Sequence, residues 1–342
     1  MARAAILGTG LIGASVGIAL GRAGWRRTGW DPDRSALDKA MRFGAVDTGA
    51  EDGAAAVEGA DLIVLAGPVA AVVDTLEGLD TGALVTDVAG VKSPVIEAGS
   101  HLPHFVGGHP MAGRETSGPD GASGDLFRGA TWVLCSDGAD PVDLERMTGI
   151  VSAFGAIPAV MSAARHDVAV AAASHLPHVV AAALVRAVGA NPDALGLAAG
   201  GFRDLTRIVT SDPGWWIDVL VANGPAVADA LRRLVGELSA TAELVDAADL
   251  EGLRSSLDGA RRLRSGMSAP VEGIGVILAD RPGEIARVGH ALSESGVDLR
   301  DLQLRHATHG GGGVLTLSVR KGEAEGLRDA LEAEGFDLVQ TV

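Results

Sequence analysis

The chain contains no tyrosine, a single cysteine (Cys135), and only 3% aromatic residues in 342. One cysteine excludes an intrachain disulfide and any cysteine-based metal cage, and it suits a reducing cytoplasm. Basic residues are also scarce: 28 Lys and Arg stand against 44 Asp and Glu, for a formal net charge of -16. So acidic a chain argues against nucleic acid or an anionic membrane as partner. It leaves room for an anionic small molecule, because a few Arg and His residues dominate the field inside one cleft. Uninterrupted apolar runs are short. Residues 4–23 follow Arg3 much as a signal peptide would, but Gly8, Gly10, Gly13, Gly17 and Gly21 break them into strand, turn and helix. Residues 168–188 are apolar yet carry His175, Pro177, His178 and Arg186, which suits a buried bundle helix better than a membrane span.

This length holds two or three domains. From 1 to about 160, short apolar runs alternate with helical ones. Residues 61–66 and 83–88 are apolar without alternation, as strands buried on both faces of a parallel sheet are. Runs at 4–7, 28–30, 105–107 and 131–134 add strands to that sheet. Helices are expected at 11–23 and 140–154, the second with Pro141 at its start and Gly155 past its end. The pattern predicts an α/β fold, a doubly wound Rossmann-type parallel sheet over 1–163. Helical periodicity then takes over, at 167–189, 193–199, 215–222, 225–246 and 249–264. An all-helical domain over 164–267 is of the kind that completes a substrate site and dimerises. A polar linker precedes a βαββαβ series over 271–342, which predicts a small ferredoxin-like domain.

Gly8-Thr9-Gly10-Leu11-Ile12-Gly13 follows the first strand and opens the first helix, the context a dinucleotide fingerprint requires. Gly8 permits the tight turn, Gly10 lets backbone approach a pyrophosphate, and Gly13 lets the helix pack on the strand. The helix start offers free N–H groups to the phosphates. Asp31 ends the second strand, 18 positions beyond Gly13. A carboxylate there accepts from the adenosine ribose hydroxyls and repels a 2′-phosphate, so NAD is expected over NADP. Arg34 nearby is the one residue that argues the other way.

Of nine histidines, His109 stands out. It lies in Gly107-Gly108-His109-Pro110-Met111-Ala112-Gly113, just past a strand of the nucleotide fold, where such sheets bind ligands. A neutral imidazole there can take a proton while hydride departs. On position alone, a structural loop histidine is the commoner reading.

Residues 107–113 with Ser117-Gly118 resemble the GGHPxAG…SG motif of prephenate and arogenate dehydrogenases. Ser174-His175-Leu176-Pro177-His178 resembles the family's SHLPH segment. Gly200-Gly201-Phe202-Arg203-Asp204-Leu205-Thr206-Arg207 with Ser211-Asp212-Pro213 resembles its GGFxDxTR…SDP segment, and His166-Asp167 an HD pair preceding the long helix. The resemblance covers residues 1 to about 265. It implies oxidation of a cyclohexadienol: hydride leaves C4 for NAD, the 4-hydroxyl loses its proton, and the ring carboxylate departs as CO2. It implies His109 as the proton acceptor and Arg207 as the bidentate ligand of the substrate's side-chain carboxylate. His178, Ser117, Asp204, Ser211 and Trp216 match positions lining the substrate, some of them lent by the partner of a homodimer.

One departure stands out. Where the family reads G-S-V-K, this chain reads Ala89-Gly90-Val91-Lys92, so Gly90 replaces a serine that orients the catalytic histidine. In the last domain Asp280-Arg281-Pro282-Gly283 resembles the D-R-P-G turn of an ACT domain, which implies an amino-acid effector, tyrosine being the natural one. Arogenate in place of prephenate remains open, as does an amino-substituted ring, for which Gly90 is the only motive. A non-catalytic NAD and amino-acid sensor would need neither His109 nor Arg207. A hydroxyacid dehydrogenase of another family would need a lysine in the long helix, and residues 167–188 have none.

Overall fold

A computed structural model describes residues 1–113, 118–210, 213–266, 271–306 and 312–339. The chain divides into two compact units, Met1–Gly236 and Glu237–Val342.

In the first unit six parallel strands form one sheet: β1 (Arg3–Leu7), β2 (Arg26–Trp30), β3 (Thr48–Gly49), β4 (Leu62–Leu65), β5 (Leu84–Asp87) and β6 (Phe105–Val106). Their order is β3-β2-β1-β4-β5-β6, the doubly wound arrangement with its switch point between β1 and β4. The lack of apolar alternation has the expected cause. Ala4, Ile6, Leu62 and Val64 enter the core on one face, and Ala5, Leu7, Ile63 and Leu65 enter it on the other. Burial on both faces leaves no solvent side for polar residues to mark.

The run at 131–134 is a strand, but not of that sheet. β7 (Gly108–Pro110), β8 (Thr131–Cys135) and β9 (Ile157–Met161) form a separate three-stranded sheet, with β7 antiparallel and β9 parallel to β8. The chain changes sheets at Gly107, whose carbonyl accepts from the Cys135 amide at 2.8 Å. His109 therefore sits within a strand, paired with Val133, and not in a loop. β3 and β9 had no sequence signal. β3 is two residues long, and β9 contains Pro158 and stays half exposed.

The long helical run starts earlier than its apolar pattern. Helix Ala163–Val170 is capped by Ser162 and continues through a π-helical turn, Ala171–His175, into helix Leu176–Gly189. His166 and Asp167 lie inside this run and do not precede it. Helix Gly200–Thr206 was not anticipated as a helix at all. Helix Pro213–Ala222 packs Val219 and Trp216 onto the nucleotide core beside helix Val69–Glu77. Ala163–Gly189 is long and apolar enough to cross a bilayer, and only 28% of its most apolar window is buried within this chain. The buried bundle helix of the sequence reading is thus largely uncovered here.

Helices Gly224–Asp246 and Leu250–Gly266 lead into the second unit's sheet. There β10 (Val271–Leu278), β11 (Asp301–His306), β12 (Gly313–Arg320) and β13 (Leu338–Val339) are antiparallel in the order β11-β12-β10-β13. Helices Glu284–Ser295 and Ala324–Ala333 supply Val288, Ala291, Leu327 and Leu331 to its core. This is the expected split βαβ topology.

Candidate active site

The glycine turn after β1 has the geometry its spacing predicts. Gly8 has φ +96°, and a Cβ there would lie 2.4 Å from the Ala66 carbonyl oxygen. A Cβ on Gly13 would lie 1.9 Å from the Gly8 carbonyl oxygen, so only glycine lets helix Leu11–Arg22 approach the turn. A Cβ on Gly10 would meet nothing within 4 Å. Gly10 thus faces open space, and the helix beyond it has no acidic residue in its first turn and no side-chain cap. Its first N–H groups, those of Leu11 and Ile12 included, have no intrahelical acceptors. The cradle fits a pyrophosphate.

Thr9 is buried, and its amide and hydroxyl both donate to Asp31 Oδ2, at 2.6 and 3.1 Å. Asp31 Oδ1 accepts from the Asp33 amide at 2.9 Å. Thr9 therefore aims the carboxylate, which keeps further lone pairs for hydroxyl donors. The Arg34 guanidinium donates to the carbonyls of Ala50 and Glu51 at 3.1 and 3.3 Å. It is committed to the backbone of its own surroundings, which removes the one sequence argument for a 2′-phosphate.

The two glycines before His109 serve packing. A Cβ on Gly107 would lie 2.7 Å from Ile96 Cδ1, and one on Gly108 2.6 Å from the Asp87 carbonyl oxygen. They let β7 lie against the end of β5. There Asp87 and Lys92 form an ion pair with no solvent exposure. Lys92 Nζ also donates to the Gly108 carbonyl at 2.6 Å, and Asp87 accepts from the amides of Ala89 and Gly108 at 2.8 and 3.0 Å. The ends of β5 and β7 are thus clamped together beside His109.

His109 Nδ1 lies 2.8 Å from His166 Nε2, and His166 Nδ1 lies 2.8 Å from Asp167 Oδ1. Burial lowers the His109 imidazole well below its ordinary range, and the nearby Lys92 charge adds to this. A neutral imidazole near pH 7 is a competent general base. On its other edge, a Cβ at Gly90 would lie 3.8 Å from His109 Nε2, in ordinary contact, so a serine would fit beside that nitrogen.

His178 is buried, its Nδ1 has no hydrogen-bond partner, and burial lowers its pKa. It stacks on Trp216, ring centroids 3.8 Å apart and 12° between planes. Trp216 also meets His175 and Trp215 edge-on. His175 is held at about 4 by burial. Arg207 and Asp204 are exposed, on a segment that packs against the helix bearing His178. Ser117 and Ser211 lie outside the described residues. Sequence reasoning missed Asn223 and took Asp87, Lys92, His166, Asp167 and His175 only as motif letters. The available signal was an Asp and a Lys five residues apart at the end of a buried strand.

In the second unit a cavity of about 390 Å³ is lined by Leu278, Asp280, Arg281, Pro282, Gly283 and Gly312, among others. Gly283 has φ +95° and is the N-cap of helix Glu284–Ser295, one position before its first turn. Gly312 has φ +102°, and a Cβ there would lie 2.2 Å from the Leu278 carbonyl oxygen.

The family model for the nucleotide-binding domain of prephenate dehydrogenase matches residues 16–159, and that for its dimerization domain matches residues 162–258. The probable prephenate dehydrogenase NovF of Streptomyces niveus is 33% identical, over 96% of each chain. The crystal structure of prephenate dehydrogenase from A. aeolicus, in complex with hydroxyphenyl propionate and NAD+, superposes with a TM-score of 0.74 at 29% identity. It covers 78% of this chain and 99% of that one. That of Synechocystis arogenate dehydrogenase gives 0.69 at 31% identity, over 78% and 100%.

Proposed function

The chain belongs to the prephenate dehydrogenase family, and on that premise we propose that it oxidatively decarboxylates prephenate to 4-hydroxyphenylpyruvate, with NAD as the hydride acceptor. The observation that carries this reading is the state of His109, a half-buried neutral imidazole with Nδ1 engaged by His166 and Nε2 facing Gly90. NAD, when bound, supplies the electron sink for the C4 hydride. The turn of Gly8, Thr9, Gly10, Leu11, Ile12 and Gly13 would hold its pyrophosphate, and Asp31 its adenosine ribose.

His109 Nε2 takes the proton of the 4-hydroxyl as C4 is oxidised. The bond from the ring to its carboxylate then breaks and its electron pair enters the ring. CO2 leaves, and the phenolate oxygen recovers a proton. Arg207 is assigned the side-chain carboxylate, because a planar guanidinium binds it bidentately. His178, unpartnered at Nδ1 and braced by Trp216, is the next polar group offered to the substrate. Asp204, Ser117 and Ser211 complete the assignment by motif alone.

The helical segment supports a homodimer. Leu195, Leu197, Leu205, Trp215, Ile217 and Val221 are exposed large apolar side chains, and a second copy is the partner that would cover them. The C-terminal unit is read as an ACT domain. Its cavity, with Asp280, Arg281, Pro282 and Gly283 at a helix start, suits the carboxylate of an amino acid. Arogenate is the second reading, favoured by the likeness to the Synechocystis enzyme.

The test is NADH formation by the purified chain with prephenate and with L-arogenate, each repeated with tyrosine. Turnover on prephenate at least tenfold above arogenate supports the first reading, and the reverse ratio supports the second. Turnover on neither, with NAD bound, sinks both. Loss of activity with tyrosine, abolished by Asp280→Ala, supports the effector site.

A further inference from the structure

We propose that His166 and Asp167 are positioning residues, a carboxylate–imidazole–imidazole chain that fixes the His109 tautomer with Nε2 unprotonated and its lone pair toward Gly90. The proposal rests on the reading of His109 as the base.

The chain is anchored at its far end. Asp167 Oδ1 accepts from the Lys92 amide and Oδ2 from the Ser93 amide, each at 2.8 Å. Its backbone carbonyl accepts from Asn223 Nδ2 at 2.8 Å, and that same amide lies 3.2 Å from His175 Nδ1. Burial pushes the Asp167 carboxyl up, but hydrogen bonds from His166, Ser93 and Lys92 outweigh it and hold the group below its usual range. Asp167 is then a pure acceptor, so His166 Nδ1 donates to it. A neutral His166 has its lone pair on Nε2, and the hydrogen in the 2.8 Å contact belongs to His109 Nδ1. That leaves His109 Nε2 bare. The ring centroids lie 5.0 Å apart with 76° between planes, which an N–H···N bond allows because it leaves rotation about its own axis free.

Gly90 gives the arrangement its importance. With no side chain at that position, nothing from residue 90 hydrogen-bonds the Nε2 edge, and a Cβ there would still lie 3.8 Å away. Orientation falls to the Nδ1 edge, where His166 is 1% exposed. The groups facing His109 are Lys92, itself paired with Asp87, on one side, and His166, Asp167 and His175 from the helical run on the other. His109 and His166 share one hydrogen in the 2.8 Å contact between them. Adding a proton to that pair places hydrogens on both His166 nitrogens or on both His109 nitrogens, and in neither case does a neutral His109 present a bare Nε2.

The experiment uses the full chain with ¹⁵N-labelled histidine, and the variants His166→Leu, His166→Gln and His109→Asn. In the wild type the ¹⁵N shifts should show His109 protonated at Nδ1 and bare at Nε2. His166→Leu should mix the tautomers and lower kcat about a hundredfold, with KM changed less than threefold, as expected for a misoriented base. His166→Gln keeps an acceptor for Nδ1 and should recover at least tenfold of the loss. A wild-type His109 protonated at Nε2 overturns the proposal. So does a His166→Leu enzyme with wild-type kcat and tautomer while His109→Asn is inactive, and in that case the base reading stands. Full activity in His109→Asn sinks the base reading instead, and the tautomer measurement then decides the hydrogen-bond chain alone. Should His166→Leu not fold, the wild-type shifts and the glutamine variant still give the answer.

Discussion

Lys92 turns back from the segment after β5 to pair with Asp87 at the strand's own end, and neither side chain reaches water. The pair also engages both the amide and the carbonyl of Gly108, one residue before His109. A buried ion pair gives little net stability, but breaking one strands a charge. Lys92→Met should destabilise the first unit by about 3–5 kcal/mol. Lys92→Met combined with Asp87→Asn should recover part of that, because no uncompensated carboxylate remains. Urea unfolding of the three proteins is the measurement. Equal loss in the single and double variants would show that the pair acts through packing alone.

Asp31 is aimed by Thr9, so replacing it removes a ribose ligand and also the acceptor of two buried donors. Asp31→Ala should raise the Kd for NAD by about ten- to a hundredfold, the cost of roughly 1.4–2.8 kcal/mol in charged hydrogen bonds. NADP should gain little, because Arg34 remains bonded to Ala50 and Glu51. Titration with both dinucleotides tests this. An NAD affinity within twofold of wild type would remove Asp31 from the cofactor site.

Much of this site was legible in the sequence because its requirements are local. Gly8 and Gly13 must be glycine for reasons of a single turn, and unalternating strands announce a doubly covered sheet. His109 was found by its place after a strand, yet its setting in a second sheet was not, since β7 is three residues long and its partner lies at 131–135. The Asp167–His166–His109 chain was invisible for the same reason. It joins residues 57 positions apart, and its anchors are backbone amides, which leave no mark in side-chain chemistry. Burial of Lys92 could not be foreseen from a residue type that is almost always exposed.

Gly90 offers a direct substitution. Its φ is not in the left-handed region, and a Cβ there makes only ordinary contacts, the nearest at 3.8 Å. Gly90→Ser should therefore fold normally, with Tm within about 1–2 °C of wild type, as for a substitution that creates no clash or strain. Its hydroxyl would stand on the Nε2 edge of His109 and give the substrate hydroxyl a second orienting partner. We expect kcat/KM for prephenate to rise about three- to tenfold. A fall of tenfold or more would mean that the space beside Gly90 is used by the natural substrate and that the ring carries a larger group there.

The buried histidines set the pH dependence of stability. Burial holds His175 at about 4 in the folded chain, against about 6.5 when unfolded. Between those values the unfolded chain binds the proton and the folded one does not, so stability rises with pH across that window. The contribution is therefore fully present above about pH 6.5 and is lost as pH falls toward 4. With a shift of roughly 2.5 units it amounts to about 3 kcal/mol. His109, lowered in the same direction, adds to the loss in that region. The depressed Asp167 carboxyl acts lower, where stability falls as pH drops below the ordinary carboxylate value. His175→Gln keeps a polar partner for Asn223 and removes the titration. Chemical denaturation at steps from pH 7 to 4.5 should show a steep decline in the wild type and a shallower one in the variant, the two curves converging toward acid pH. Parallel curves would mean that His175 titrates normally in the folded chain, and the decline would then belong to His109 and its neighbours.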